Sequence, residues 1–301
     1  MKNINRREFV LSFSAVLMLP RWARGDALDS EICRFGMVTD SHYADVVGTG
    51  TRKYSESLVK MRECVDFMNQ RDPAFLVHLG DFVDGVGHPS VEEAVARVEA
   101  LKIEATRFEG PRYHVLGNHC LDALSKGDFL NSIENTGIDP ARSFFSFDAK
   151  GVHFVVLDAC FQSDGTPYDK GNFTWTDANI PADQVEWLEQ DIENTPLPTI
   201  VFVHQLLDGA GNVYINNAPQ VRKVLEDSGK TLAVFHGHHH QGQYNHIGDI
   251  HYYTLRAMVE GSGEANNAYA MVKVHADRIV IEGYRRAVSR EMARPGPVRK
   301  P

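Results

Sequence analysis

Three observations predict an α/β fold for this chain. Short apolar runs rich in β-branched and aromatic residues recur along the sequence and indicate buried strands, at 35–38, 75–79, 113–116, 199–203 and 231–235. Patterns with the period of an amphipathic helix lie between these runs. The last part of the chain has closely spaced strand patterns instead, at 251–255, 268–275 and 278–282. Alternating strands and helices followed by a β-rich end are typical of α/β architectures.

Helical periodicity and start signals predict five helices between the strand patterns. In the first of them, Leu58, Met61 and Met68 fall on one apolar stripe. Ser90 and Ser125 stand where two others begin, and serine is a favoured cap of a first turn. The predicted helices span residues 55–69, 90–108, 125–135, 181–192 and 217–227, and a pair of strands is predicted at 143–148 and 152–158.

Size and charge restrict the class of protein. Apolar and charged fractions of 43% and 24% are ordinary for a globular protein, and we place one domain at residues 30–290. A formal net charge of −9 argues against binding to nucleic-acid polymers, because such binding needs a basic surface. Beyond the N-terminal segment, no apolar run predicts a membrane-spanning helix.

The N-terminal segment has the organisation of a signal peptide. Lys2, Arg6 and Arg7 precede an apolar run at 9–19 that is too short to span a bilayer. The stretch 5–11 resembles the twin-arginine export motif. We therefore expect a signal peptide at 1–25, export by the twin-arginine machinery and a bacterial periplasmic or secreted protein; an uncleaved amphipathic helix is the alternative. The Arg- and Pro-rich tail at 292–301 is predicted to be disordered.

Five polar clusters follow five of the predicted strands. In sheets with helical crossovers, loops at the carboxyl ends of strands gather at one edge, so these clusters are expected to meet there. Each cluster alone is compatible with ordinary turn chemistry, and His204 alone with an ordinary core histidine. Together they bring Asp, Asn and His side chains to one rim: Asp40-Ser41-His42, Gly80-Asp81-Phe82-Val83-Asp84, Gly117-Asn118-His119, His204 and Gly237-His238-His239-His240.

This set of ligands predicts a site for two cations. Two cations about 3.5–4 Å apart clamp a phosphoryl group, lower the pKa of a shared water and stabilise a leaving oxygen. Holding them so close needs a bridging anion, which an Asp carboxylate can provide. Mixed nitrogen and oxygen ligands favour Mn, Fe or Zn, and the sequence has no Cys-x-x-Cys pair for a structural zinc site. The sequence therefore indicates hydrolysis of a phosphate ester or anhydride by a metal-activated hydroxide.

The clusters resemble, in order and spacing, the motifs of the calcineurin-like metallophosphoesterase superfamily: Asp-x-His, Gly-Asp-x-x-Asp, Gly-Asn-His-Asp/Glu, His and Gly-His-x-His. The resemblance covers residues 33 to about 290. It implies a four-layer αββα sandwich of two mixed β-sheets flanked by helices. It also implies that His119 is the catalytic histidine, with Asp84 as the carboxylate that orients it. One metal would be held by Asp40, His42, Asp81 and His240, and the other by Asp81, Asn118, His204 and His238.

Further stretches resemble one branch of this superfamily, the manganese-dependent ADP-ribose/CDP-alcohol diphosphatases, which cleave the pyrophosphate of nucleoside diphosphate-linked molecules. Two positions depart from the pattern. Cys120 stands where the superfamily has Asp or Glu, and His42 stands where eukaryotic members of the branch have Gln. The similar stretches are 40–45, 52–54, 251–260, 267–269 and 283–286.

The sequence thus predicts an enzyme with two divalent metal ions, Mn by the resemblance, that hydrolyses a small phosphorylated substrate. ADP-ribose and CDP-alcohols are one class of substrate. A phosphomonoesterase or phosphodiesterase with another substrate and an inactive metal-containing binding protein stay open, and the sequence does not indicate an oligomeric state.

Two features leave structural alternatives open. An irregular stretch at 161–180 contains several aromatic residues, which either stack on a base or cover a leaving group, or only pin a surface loop. Four cysteines allow three disulfide pairings in an oxidising compartment, with a Cys120–Cys160 bridge beside the site among them. They are equally compatible with small buried residues. The cysteines are Cys33, Cys64, Cys120 and Cys160.

Overall fold

The computed structural model describes residues 30–294, and their strands form two six-stranded sheets. In the first sheet, the strands are β12 (Arg290–Ala293), β11 (Arg278–Arg285), β10 (Ala268–His275), β1 (Glu31–Val38), β2 (Leu76–His78) and β3 (Arg112–His114), in spatial order. Strands β1, β2 and β3 are parallel, and the other three continue the sheet in antiparallel fashion. Val38 pairs with His78, and His78 with His114, so the three parallel strands end at one edge.

The second sheet is also mixed. Its spatial order is β4 (Phe145–Ala149), β5 (Val152–Val156), β6 (Thr199–Phe202), β7 (Thr231–His236), β9 (Ile250–Thr254) and β8 (Gln243–Ile247). The four central strands are parallel, and β4 and β8 pair in antiparallel fashion at the two sides. Phe202 at the end of β6 stands opposite Phe235 of β7, which brings the loops after these strands together.

An aromatic core fills the space between the two sheets. The ring of Phe35 stacks on that of Phe75 with centroids 5.0 Å apart, and both belong to the first sheet. Rings of the second sheet meet Phe35 edge-on, with centroids 5.5 Å away for Phe154, 5.6 Å for Phe202 and 5.8 Å for Phe235. Because each fully buried Phe stabilises the fold by about 1.5–3 kcal/mol, this cluster holds the two sheets face to face.

Helices cover the outer face of each sheet. The first sheet packs against α1 (Ser57–Asn69), α2 (Val91–Ala105) and α3 (Lys126–Ser132), and the second against α4 (Ala182–Asn194) and α5 (Ala218–Ser228). Ser90 caps α2 in a capping box with Glu93, and Ser125 caps α3 in the same way with Asp128. The predicted αββα sandwich of two mixed sheets is confirmed, and each predicted helix is present within a few residues of its expected bounds.

The C-terminal boundary of the domain differs from the prediction. Strand β12 includes Met292 and Ala293, which belong to the tail predicted from sequence to be disordered. Met292 is 1% exposed and packs into the core between the sheets, so the folded domain extends through β12. Positions 295–301 and the predicted signal peptide at 1–25 lie outside the described residues. None of the helices between residues 30 and 294 has the length and hydropathy of a membrane span.

All four cysteines are buried as free thiols. The bridge considered between Cys120 and Cys160 is therefore not formed, and the alternative of small buried residues holds. Burial raises the pKa of the Cys120 thiol to about 12, so this thiol is protonated at neutral pH. Cys120 accepts a hydrogen bond from the backbone N–H of Phe82 and has a packing role beneath the loops that follow β2 and β3.

Candidate metal centre

The polar clusters lie in loops that directly follow the parallel strands of both sheets. The loops after β1, β2 and β3 come from the first sheet, and those after β6 and β7 from the second. Backbone hydrogen bonds join neighbouring loops: Asp40 N donates to Gly80 O (3.0 Å), and His42 N donates to Asp81 O (2.9 Å). The edges of the two sheets therefore combine into one buried rim, as the sequence pattern predicts.

The backbone at this rim is locally strained. Four predicted ligands have left-handed conformations, with φ of 50° at Asp40, 43° at His42, 52° at Asp81 and 65° at His238. Such values are uncommon outside glycine and persist where the surroundings enforce them, most often at functional sites. Glycine accompanies the strain: a Cβ on Gly80, whose φ is 103°, would overlap the imidazole of His204. The loops thus aim their side chains at one point at a cost in local backbone energy.

The first group of ligands surrounds the imidazoles of His42 and His240. Their Nε2 atoms lie 3.1 Å apart. Oδ1 of Asp40 lies 3.6 Å from Nε2 of His42 and 3.5 Å from Nε2 of His240. Oδ2 of Asp81 lies 3.5 Å from Nε2 of His42. A cation in the space between these atoms would have two nitrogen and two oxygen ligands.

The second group shares Asp81 with the first. Oδ2 of Asp81 lies 3.0 Å from Nε2 of His204, and the two atoms do not have the direction of a hydrogen bond. Together with His238 these residues bring three possible ligand atoms within 4.8 Å of one another. Asn118 lies beside them, because the N–H of the next residue, His119, donates to Oδ1 of Asp81 (2.8 Å). Asp81 is thus placed to bridge two cations.

Hydrogen bonds set the orientation of the imidazoles. Nδ1 of His42 donates to Asp84 (2.9 Å), Nδ1 of His240 to Glu260 (2.7 Å), and Nδ1 of His204 to the carbonyl of Leu79 (2.7 Å). Each of these acceptors fixes the proton on Nδ1 and leaves the lone pair of Nε2 facing the centre. Such contacts behind a ligating histidine are typical of metal sites.

Unpaired buried atoms test whether the residues fit a metal. Nε2 of His204, Nε2 of His238 and Oδ1 of Asn118 are buried and have no hydrogen-bond partner among residues 30–294. Leaving a buried polar atom unpaired costs about 1–3 kcal/mol. The three atoms belong to one ligand group, and a divalent cation would satisfy them together. The donor set therefore fits a metal, and its mixture of N and O atoms suits Mn, Fe or Zn.

The surroundings of the centre keep the carboxyl groups of Asp40 and Asp81 ionised. Although burial opposes ionisation, the imidazoles of His240, His42 and His204 beside it hold the pKa of Asp40 well below its usual range. The neighbouring imidazoles of His204, His119 and His42 likewise outweigh burial and lower the pKa of Asp81. Burial lowers the pKa of His238 to about 3, so this imidazole is neutral and can act as a ligand. The centre is ready to bind cations at neutral pH.

The carboxylate that orients His119 differs from the prediction. Nδ1 of His119 donates to Oδ2 of Asp122 at 2.7 Å, whereas Oδ2 of Asp84 is 3.7 Å away. Asp84 instead accepts from His42 and from the backbone N–H of Val86. The assignment of Asp84 to His119 is corrected accordingly: Asp84 supports a predicted metal ligand, and Asp122 supports the predicted catalytic histidine. The side chain of His119 is 28% exposed, so a substrate can reach it.

Asp122 and Glu260 are the residues of the site that the sequence analysis missed. Asp122 follows His119 by three residues, and a short 3₁₀ helix at Asn118–Leu121 turns its carboxylate back onto the imidazole. That spacing was a usable signal. Glu260 lies 20 residues after His240, and only the fold brings them together. The sequence predicts His239 to be only a neighbour, and in the described chain it belongs to none of the groups of possible ligands, which are Asp40, His42 and His240; Asp81, His204 and His238; and His42, Asp84 and His119.

Asp122→Asn should change the pH dependence of turnover. Burial lowers the pKa of His119, but the carboxylates of Asp81 and Asp122 outweigh it and raise that pKa to about 9. Removing one negative charge lowers the pKa, so His119 loses its proton at lower pH. We expect the alkaline limb of kcat to move to lower pH in Asp122→Asn and to stay in place in Asp227→Asn, which alters an exposed carboxylate of α5. A uniform loss of rate with an unmoved limb would contradict this role.

Comparisons with known proteins agree with the geometry. The sequence model of the family described as calcineurin-like phosphoesterase matches residues 33–242. The chain belongs to the calcineurin-like phosphoesterase family. Curated relatives from Oryza sativa subsp. japonica and Xenopus tropicalis are both named manganese-dependent ADP-ribose/CDP-alcohol diphosphatase. They are 24% and 23% identical to this phosphoesterase over 86% and 83% of its length, and the matches cover 93% and 90% of their own sequences.

Solved structures share the fold of this phosphoesterase. A dimetal phosphatase from Danio rerio has a TM-score of 0.77 at 20% identity, over 88% of this chain and 100% of the other. A purple acid phosphatase from yellow lupin has a TM-score of 0.60 at 12% identity, over 87% and 54%. Family membership and the two ligand groups together identify a hydrolase of phosphoric esters or anhydrides that uses two divalent metal ions.

The arrangement assigns separate tasks to the residues of the centre. When bound, the two cations supply positive charge for the phosphate oxygens and a nucleophile derived from water. Asp81 would be shared by the two ligand groups, and Asp84, Glu260 and the carbonyl of Leu79 orient the imidazoles that would hold the cations. The carboxylates of Asp81 and Asp122 outweigh burial and raise the pKa of His119 to about 9, and its imidazole lies at the accessible side of the centre. It is therefore placed to donate a proton to a departing oxygen.

Proposed function

We propose that this phosphoesterase hydrolyses the pyrophosphate bond of nucleoside diphosphate-linked molecules such as ADP-ribose and CDP-alcohols, with manganese as its metal. One observation carries the proposal: the relatives with that name match this chain over most of both sequences, with 86% of this chain and 93% of the rice protein covered. The ligand set that fits two cations is compatible with the same chemistry.

A hydrolysis panel on the purified protein tests the substrate class, with metal content measured on the same sample. The panel contains ADP-ribose, CDP-choline, a phosphomonoester, a cyclic dinucleotide and a glycerophosphodiester, each with and without Mn²⁺. We expect the first two to have the highest kcat/KM and to depend on Mn²⁺. A preference for another class would reject the substrate proposal. Two bound metals without turnover on any substrate would favour the alternative of a binding protein.

Arg52 is placed to bind the second phosphate of such a substrate. Its guanidinium lies 3.7 Å from Asp84, its side chain is 35% exposed, and its strand bridge with Glu260 holds it beside the first ligand group. A guanidinium at this position can donate two parallel N–H hydrogen bonds to the oxygens of a phosphate.

Arg52→Ala should therefore weaken binding of diphosphate-linked substrates. A charge-assisted hydrogen bond contributes about 1.5–3 kcal/mol, so we expect KM for ADP-ribose to rise on the order of 10-fold or more. KM for a phosphomonoester should change little, and Arg52→Lys should be intermediate. Steady-state kinetics on the two substrates measure this, and an equal rise in both KM values would contradict a contact with the second phosphate.

We also propose that the protein acts outside the bacterial cytoplasm, after export through the twin-arginine machinery. The proposal is supported by the sequence of the first 25 residues, with Arg6 and Arg7 before an apolar run. Fractionation of cells that express the full chain tests it. We expect activity in the periplasm or medium, and retention in the cytoplasm when Arg6 and Arg7 are both replaced by Lys. Equal distribution of the two forms would reject this route.

A further inference from the structure

A tryptophan from the long irregular loop lies beside the metal centre. Trp175 belongs to the stretch 161–180, and its ring centroid is 5.7 Å from the imidazole of His238, at an interplanar angle of 58°. Its side chain is 46% exposed, although tryptophan is a residue that proteins usually bury in large part. By contrast, Trp187 packs edge-on against Phe144, with centroids 4.9 Å apart. Packing alone therefore leaves much of the surface of Trp175 unused.

The turn that carries Trp175 is held firmly in place. The N–H of Asp177 donates to Thr174 O (2.8 Å), which closes the turn around the tryptophan. The carboxylate of Asp177 accepts from Asn216 in the loop after β6 (2.7 Å), and its carbonyl accepts from the hydroxyl of Tyr168 (2.9 Å). Tyr168 is fully buried and stacks on Phe173 with centroids 3.9 Å apart. The other aromatic residues of the loop thus form a support, and Trp175 is presented on it in a fixed position.

An aromatic surface fixed beside a phosphate-binding centre suits a ligand with a planar ring. Any nucleobase can stack on an aromatic side chain, because every base has a π-face. A rigid platform also loses little conformational entropy when the ligand binds. Trp175 is on the side of His238 and His204, whereas Arg52 is on the side of His42 and Asp84. A substrate with a base at one end and a second phosphate group near the other could contact both.

We propose that Trp175 is the platform on which the base of the substrate stacks, so that the nucleoside end lies on the His238 side of the centre and the remainder points toward Arg52. This inference rests on the proposed function and adds to it a residue that selects substrates with a planar base. Trp175 acts on recognition of the substrate, and the metal ligands and His119 act on the reacting phosphate.

Kinetics on matched substrates test the platform. Trp175→Ala should raise KM for ADP-ribose and CDP-choline about 10-fold and leave kcat within about twofold of the native value. Stacking of one base on an aromatic side chain strengthens binding by roughly 10- to 100-fold. KM for a dialkyl pyrophosphate, which has no base, should not change. Trp175→Phe keeps an aromatic face and should restore most of the affinity. An equal loss on all three substrates, or a fall in bound metal, would show that Trp175 acts through His238 and would overturn the proposal.

Fluorescence separates failure of this inference from failure of the proposed function. In a Trp22→Phe/Trp187→Phe double variant, Trp175 is the one remaining tryptophan of the three in the chain. AMP and CMP should quench its emission saturably in the presence of Mn²⁺, whereas ribose 5-phosphate and phosphocholine should not. Hydrolysis of ADP-ribose without quenching by AMP would reject the platform and leave the proposed function standing. Turnover confined to substrates without a base, again without quenching, would reject both.

Discussion

Asp81→Ala should lose both metal ions and all measurable hydrolysis. Oδ2 of Asp81 is 3.0 Å from Nε2 of His204 and 3.5 Å from Nε2 of His42, so this one carboxylate faces both ligand groups. Without it, each ligand group would lack one of its oxygens and no anion would offset the repulsion between the two cations, so neither group would retain its metal. Metal analysis of the purified variant and kcat/KM on ADP-ribose measure the outcome.

Two controls accompany this variant. Asp227→Ala removes an exposed carboxylate that pairs with Lys223 on α5, and it should keep two metals and full activity. Asp81→Asn preserves the shape of the side chain but removes its charge, and it should lose activity nearly as completely as alanine. Thermal unfolding of each protein shows whether the fold persists. If Asp81→Ala retained two metals and turnover, the assignment of the bridging ligand would be wrong.

His119→Ala should keep both metals and lose most of the rate. His119 belongs to neither of the two ligand groups that contain Asp81 or Asp40, and its imidazole is accessible and protonated at neutral pH. General-acid catalysis by a positioned side chain contributes on the order of 10²–10⁴-fold. We expect a loss of this size on substrates with poor leaving groups and a much smaller loss on activated aryl esters, whose leaving oxygen needs no proton.

The loss of rate in His119→Ala on substrates with poor leaving groups, compared with the loss on activated aryl esters, distinguishes proton donation from charge stabilisation. A plot of log kcat against leaving-group pKa should become steeper for His119→Ala than for the native enzyme. His119→Gln can donate a hydrogen bond but cannot transfer a proton at neutral pH, so it should resemble alanine on poor leaving groups. Equal losses across the series would argue against the general-acid role and favour stabilisation of developing charge on the phosphate.

The metal ligands could be predicted from sequence because each follows a strand of recognisable composition. Loops after parallel strands must emerge at one edge, so the position of Asp40 or His204 in the chain already indicated its position in space. The same reasoning failed for β8 and β12. Strand β8 has the sequence Gln-Tyr-Asn-His-Ile, which lacks a clear alternation of apolar and polar residues. Strand β12 is short, and only its Met292 is buried in the core between the sheets.

The carboxylates behind the histidines could not be assigned in this way. Asp84 and Asp122 both lie near His119, and a difference of 1 Å decides which of them accepts the hydrogen bond from its Nδ1. Hydrogen bonds weaken steeply with distance and angle, whereas sequence spacing determines positions only to within several ångströms. Glu260 reaches His240 from a loop that backbone bonds hold against the loop after β1, with Met258 N donating to Thr39 O (3.1 Å).

The sequence by itself determined the class of fold, the edge of the sheets at which the site lies and the kinds of ligand that it presents. These follow from hydrophobic periodicity and from the chemistry of Asp, Asn and His, which are properties of the chain. Only the tertiary structure decided which nitrogen of each imidazole faces the metals, which carboxylate supports His119 and where Trp175 lies. The 2.7 Å bond from His204 to Leu79 O needs both sheets packed together, and the 2.9 Å bond from His42 to Asp84 joins two loops far apart in the chain. His119 and Asp122 are only three residues apart, but the choice of Asp122 over Asp84 depends on how the loops after β2 and β3 pack together.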